Sequence, residues 1–229
     1  MRAFFIVFLC CLCHLSYGQA FNRNLSLRGN STVSIGSGLG VMAGDNTGGI
    51  RRNITNFLPP VSLSYARQLN STLDLRATVG GQVIGSKHAI VYENFFPNWI
   101  ENGYALSFTG RTYFADIMPV VYLFSNSPYE AIRSDINVYA GAGFGYLTVF
   151  RSQNMVGETT REDVQTSTPY IPLRLGVSRQ LSPFWNMSLE GSAFITFSDY
   201  LDGNAGTNTR NDHFIQAQLM LTRYLSRYR

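Results

Sequence analysis

The stretch Trp185-Asn-Met-Ser-Leu-Glu-Gly-Ser-Ala-Phe-Ile-Thr-Phe197 decides how this chain folds. Met187, Leu189, Ala193, Ile195 and Phe197 fall on one parity. Asn186, Ser188, Glu190, Ser192 and Thr196 fall on the other, with Phe194 the exception. A period of two marks a strand with one apolar and one polar face. A polar loop follows over 198–211, and the alternation resumes over 212–225. There Ile215, Ala217, Leu219 and Leu221 oppose Gln216, Gln218 and Thr222. Two long strands joined by a long polar loop need a neighbouring sheet or a membrane to be stable.

Working outward, the same pattern recurs over 32–43, 57–67, 72–84, 103–124, 135–150 and 169–180, which makes eight strands with the final hairpin. The fifth is the clearest of the six: Ile136, Val138, Ala140, Ala142, Phe144 and Tyr146 oppose Asn137, Tyr139, Gly141, Gly143 and Gly145. In the fourth, Tyr104, Leu106 and Phe108 oppose Ser107, Thr109 and Arg111. The parity fails at Asp116 and Pro119, so a bulge or break is expected there. The connections run long, short, long, medium, long, short, long, with 151–168 the most polar of them. Short turns on one side and long loops on the other, with an even strand number, are the rhythm of an outer-membrane barrel. The predicted fold is therefore all-β, an eight-stranded antiparallel up-and-down transmembrane β-barrel.

Composition agrees. Charged residues make up 14% of the chain, well under the ~25% of a typical soluble domain. The net charge of +4 is carried almost wholly by arginine, Lys87 being the one lysine. The cations are scattered, so no nucleic-acid partner is expected. The N-terminus reads as a cleavable export signal over 1–18: Arg2, then an apolar run over 3–13, then Ser16-Tyr17-Gly18, whose small residues stand at −3 and −1 of a cleavage before Gln19. Residues 19–229 form a single barrel domain. Cys10, Cys11 and Cys13 all lie in the signal, so the mature chain is expected to use neither disulfides nor thiolate-bound metal. The expected location is the outer membrane, with its lipid as the first partner.

An eight-stranded barrel is just wide enough for side chains to fill it. Asp74, Arg76, Arg111, Arg174 and Glu190 sit on inward parity and should form a paired polar network, since an unpaired buried charge is costly. Tyr65, Phe108, Phe150, Trp185, Phe197 and Tyr224 fall near strand ends on the outer side and suit aromatic girdles. Candidate chemistry is thin. Asp212 beside His213, with Asp199 and Asp202 across the loop, is the nearest approach to a hydrolytic set. Adjacent strand residues point to opposite faces, so Asp212 and His213 make a poor dyad. Those aspartates could instead offer hard oxygen ligands to a divalent cation, or simply border a loop turned by Asp202-Gly203. His88 lies in a predicted loop. No catalytic residue, cofactor or metal is assigned, and the expectation is a protein that is not an enzyme.

Ser198-Asp-Tyr-Leu-Asp-Gly203, followed by Asn211-Asp212 and a closing strand, resembles the signature loop of PorG-like outer-membrane barrels. Gly40-Val-Met-Ala-Gly-Asp45, Leu106-Ser-Phe-Thr-Gly110 and Val138-Tyr-Ala-Gly-Ala-Gly-Phe144 are similar in pattern to other parts of that family. The resemblance marks Asp199, Tyr200, Asp202, Gly203 and Asp212 as an outer-loop motif. It implies an accessory role in a type IX-like protein secretion system, with periplasmic machine components as partners, reached through the turn at 125–134. The residues by themselves leave open a structural or adhesive surface barrel acting through its long outer loops.

Overall fold

The computed structural model describes residues 28–44, 57–86, 105–125, 135–155, 161–203 and 211–226. The expected export signal at 1–18, His88 and most of the turn expected at 125–134 lie outside them. Nine strands follow one another: β1 Arg28–Ala43, β2 Pro60–Gln68, β3 Leu73–Gly85, β4 Ala105–Tyr122, β5 Ile136–Ala142, β6 Phe144–Met155, β7 Arg161–Ser182, β8 Trp185–Thr196 and β9 His213–Ser226. Each pairs antiparallel with its neighbours in the wall, and β1 closes the ring on β9, from Thr32↔Tyr224 to Ala43↔His213. Strands β5 and β6 are collinear: β7 pairs with both in one register, Ala142↔Leu173 and then Gly145↔Tyr170. The ring therefore has eight strand positions and no edge within the barrel wall, so the whole backbone can be satisfied in lipid.

The break expected in the fourth strand does not occur. β4 runs unbroken in register with β3 from Thr109 to Val121, Pro119 included. The interruption falls on its neighbour, between Ala142 and Gly143. Gly143 N–H donates to the Pro172 carbonyl (3.2 Å), and proline can return no N–H. By the same register Ala142 faces Pro119 across the other ladder. Two prolines thus flank one point of the sheet from both sides, and the assignment of one strand as two follows from the missing donors.

The predicted polar loop at 151–168 is mostly strand. β6 and β7 stay paired out to Asn154↔Arg161, and β4 continues alongside from Gly110↔Arg151 to Ala105↔Met155. β8 stops far earlier, its last pair with β7 being Tyr170↔Thr196. A three-stranded sheet of β4, β6 and β7 therefore projects past the ring on the side of the long connections. Among the described residues, no strand covers β7 beyond Tyr170.

Outside, the wall is apolar. Ile35, Leu39, Val61, Leu63, Val79, Ile117, Val121, Leu175, Leu189 and Leu219 are all exposed, a continuous belt that no water-soluble surface would carry. At its outer end lie Phe57, Phe150 and Phe197, and at the turn end Tyr65 and Trp185, the last beneath the Arg223 guanidinium at 5.5 Å. Two residues expected in these girdles are inside instead. Phe108 is 1% exposed, and Tyr224 is buried with its hydroxyl accepting from Asn186 Nδ2 at 3.0 Å.

Candidate functional site: the lumen and its outer mouth

The lumen has two levels. In the turn-side half, Glu190 joins two arginines. Arg76 Nη1 donates to its Oε2 at 2.5 Å, Arg174 Nε lies 3.6 Å from Oε1, and the Tyr139 hydroxyl donates to Oε2 at 2.8 Å. The Arg76 guanidinium also sits over the Tyr139 ring at 5.0 Å. Arg174 continues the chain, donating to Thr78 Oγ1 and Asp116 Oδ2, both at 2.6 Å, and Tyr170 donates to the same Asp116 oxygen at 2.6 Å. A second chain crosses the lumen through Gln218, Gln216 and Gln82, with Ser62 donating to Gln218. Charge-assisted bonds of this length are the strong class, and they tie together side chains from opposite walls of the lumen.

Of the five residues expected to line the lumen, Arg76, Arg174 and Glu190 meet in this network. Asp74 is buried further toward the turns, at the position paired with Val120. Arg111 is not in the lumen at all. It is exposed on the outer wall, in register with Val83 and Phe150. The inward row of β4 is Phe108, Thr112, Phe114, Asp116, Met118 and Val120, so the whole strand is turned over relative to the sequence reading. Apolar residues occupy both faces of β4, and hydrophobicity alone cannot then assign a face. The missed acid of the network is Asp116, whose inward parity is legible once Pro119 is kept in the strand.

Above the ions the lumen is aromatic. Phe194, the parity exception of β8, is its centre: its ring lies 4.9 Å from Phe114, 4.7 Å from Tyr170 and 6.4 Å from Phe214. Met42, Ile84, Phe108, Leu147, Val149 and Leu201 complete the cluster. Offset and edge-on ring contacts at these spacings add to simple burial.

Leu201 belongs to the outer-loop motif, which is not a solvated connector. Leu201, Asp202 and Asp212 are each at most 1% exposed. Asp212 Oδ2 accepts from the backbone N–H of Leu201 (2.7 Å) and Asp202 (3.1 Å). Arg151 Nη1 donates to the carbonyls of Tyr200 (2.8 Å) and Leu201 (3.4 Å) and to Thr166, while its guanidinium covers the Tyr200 ring at 4.4 Å. Arg151 Nε reaches Gln153, which in turn donates to Glu162 on β7. Thr196 Oγ1 donates to the Asp212 carbonyl. Gly203 makes the turn at φ +100°, a conformation that a side chain resists, and a Cβ there would also meet Gln153 Oε1 at 2.7 Å. The loop is pinned across the mouth and presses Leu201 onto the aromatic cluster. Asp199 and Tyr200 stay nearer the surface.

The carboxylates of Asp202 and Asp212 both converge on Gly44, where a Cβ would lie 2.8 Å and 2.4 Å from their nearest oxygens. Burial, followed by the Asp202 charge, pushes the Asp212 carboxyl up to about 8, against the pull of the two backbone N–H donors. Among the described residues no cluster of three acidic, histidine or cysteine side chains is placed to hold a metal ion. Asp212 points inward, and His213 lies on the outward row beside Ile195.

No protein-family model matches the chain, and no curated protein matches it in sequence. Solved structures do match in fold. Neisserial surface protein A superposes with a TM-score of 0.53 at 9% identity, covering 86% of this chain and 97% of that one. A major outer membrane protein from Thermus thermophilus superposes at 0.51 with 11% identity, covering 84% and 98%. The chain has the fold of the small eight-stranded outer-membrane barrels.

Proposed function

We propose that this protein is a non-enzymatic barrel of the outer membrane that conducts nothing and works through the surface it presents outside. The observation that carries this reading is the pairing of a lumen filled at two levels with a sheet that leaves the ring. Among the described residues the ionic network and the aromatic cluster cross the lumen at two levels, and the loop at 198–203 lies over the mouth. The outer part of β7 instead offers an edge that no described strand covers, flanked by the exposed Arg161, Glu162 and Asp163. Such an edge is a ready template for another chain, and the charges keep it from pairing indiscriminately. This supports the structural or adhesive role over a transport role. Excising 154–161 and closing Gln153 to Glu162 with a two-residue turn leaves Arg151 and its partners in place. The cut shortens the projecting sheet and takes Arg161 from its edge, so cells displaying that variant should adhere less while the barrel keeps its heat-dependent gel shift. Unchanged adherence would remove this reading.

An accessory role in a type IX-like secretion system is a second reading. What favours it is the resemblance of the loop at 198–203, together with that loop's fixed geometry on Arg151 and Asp212, which gives its sequence a reason beyond solubility. Deleting the gene and assaying exported cargo tests it; unaltered export would sink it.

A further inference from the structure

The arginine that the sequence places inside carries a new assignment. Arg76, Arg151 and Arg174 all commit their guanidinium groups to partners within the lumen or its mouth. The Arg111 guanidinium faces outward at the loop end of the apolar belt and makes no hydrogen bond or ion pair with another described residue. Its flanks are Val83 on β3 and Phe150 on β6. One position down the wall, Tyr113 meets Phe150 edge-on with ring centroids 6.0 Å apart. A cation on the lipid face is unfavourable unless it reaches an anion, and a planar guanidinium is shaped to take two phosphate oxygens at once.

Directly beside it the wall is notched. Gly81 occupies an outward position between Val79 and Val83, paired with Val61 on one side and Tyr113 on the other. With no side chain there, a shallow apolar groove runs along Val61, Leu63, Val79, Val83 and Tyr113, and Arg111 stands on its rim. A Cβ at Gly81 would touch the Tyr113 ring at 3.4 Å, so a larger side chain would fill the groove from within. Among the described residues the apolar groove ends at one guanidinium, at the interface end of a membrane belt, which complements the anionic head and apolar tail of a lipid; the exposed Asp163 shares a neighbouring groove with Arg111.

We propose that Arg111 and the Gly81 notch bind one phosphorylated lipid of the outer leaflet, its phosphate on the guanidinium and one acyl chain along the groove. The probe is lipid A, set against lipid A stripped of its phosphates, titrated onto the detergent-solubilised barrel and read by native mass spectrometry. The wild-type barrel should retain one lipid A and release the dephosphorylated form. Arg111→Ala should weaken retention about tenfold, the size of a lost charge-assisted contact, and Arg111→Lys should recover part of it. Gly81→Val, which fills the groove and leaves Arg111 in place, should also weaken retention of lipid A. The gel shift checks that each variant is folded, and because Arg111 packs against no core residue its alanine variant gives a result even where Gly81→Val fails to fold. Equal retention by wild type and Arg111→Ala, or equal retention of the two lipids by wild type, overturns the proposal.

Discussion

The two halves of the lumen solve the same problem with opposite chemistry. Near the turns, Glu190 sits between Arg76 and Arg174, and stability depends on every charge keeping its partner. Near the mouth, Phe194 sits among Phe114, Tyr170 and Phe214, and stability depends on volume and ring geometry. Asp116 joins the levels, since it takes Arg174 from below and the Tyr170 hydroxyl from above. The difference teaches that a barrel of this size can be closed either by fixed charge or by packed rings, and that the two halves should fail in different ways when altered.

The largest effect should come from the ionic half. Glu190→Ala strands the buried Arg76 guanidinium and leaves Arg174 with Asp116 as its one carboxylate, and should cost about 4 kcal/mol in denaturant unfolding from lipid vesicles. Glu190→Gln, nearly identical in shape, should recover little of that loss, because what is missing is charge. Phe194→Ala should cost somewhat less, about 3 kcal/mol, and there Phe194→Leu should recover much of the loss, because what is missing is volume. If glutamine rescues as well as leucine does, the division between the halves is wrong.

The smallest effect sharpens the comparison at the mouth. The docked loop holds the Asp212 carboxyl at about 8, against 3.8 for the free group. A raised carboxyl means that the docked loop binds more protons than the released one between about pH 4 and pH 8. Docking therefore weakens as pH rises through that window and levels off above it. Protection of the Leu201 and Asp202 amides, corrected for intrinsic exchange, should decline from pH 5 to pH 8 in the wild type. In Asp212→Asn, which keeps an acceptor oxygen for both amides, it should stay flat; a decline of the same size would assign the titration elsewhere.

Much of the ionic half is legible in the sequence, and the aromatic half is not. Glu190, Arg76 and Arg174 stand on polar faces opposite clean apolar rows, so parity alone turns them inward. Phe194 stands out only as an exception, because a ring that fills a barrel breaks the rule that apolar residues face lipid. The same ambiguity inverts β4: Phe108 reads as an outer anchor, and Arg111 follows it to the wrong side. Pro119 suggests a break, although a register fixed by both neighbours holds it in place and moves the missing hydrogen bonds onto Ala142 and Gly143. The loop motif is visible as residues but not as a fold. The burial of Leu201 and Asp202 depends on Arg151, some fifty positions away, and no local pattern reports a contact at that range.

The closed lumen is the claim on which the rest stands, and conductance tests it most directly. The purified wild-type barrel, shown by its gel shift to be folded and inserted into a planar lipid bilayer in concentrated salt, should give no stable openings over sustained recording at either polarity. Reproducible ohmic steps from that folded protein would mean that ions pass between Glu190 and Phe194, and would contradict the account.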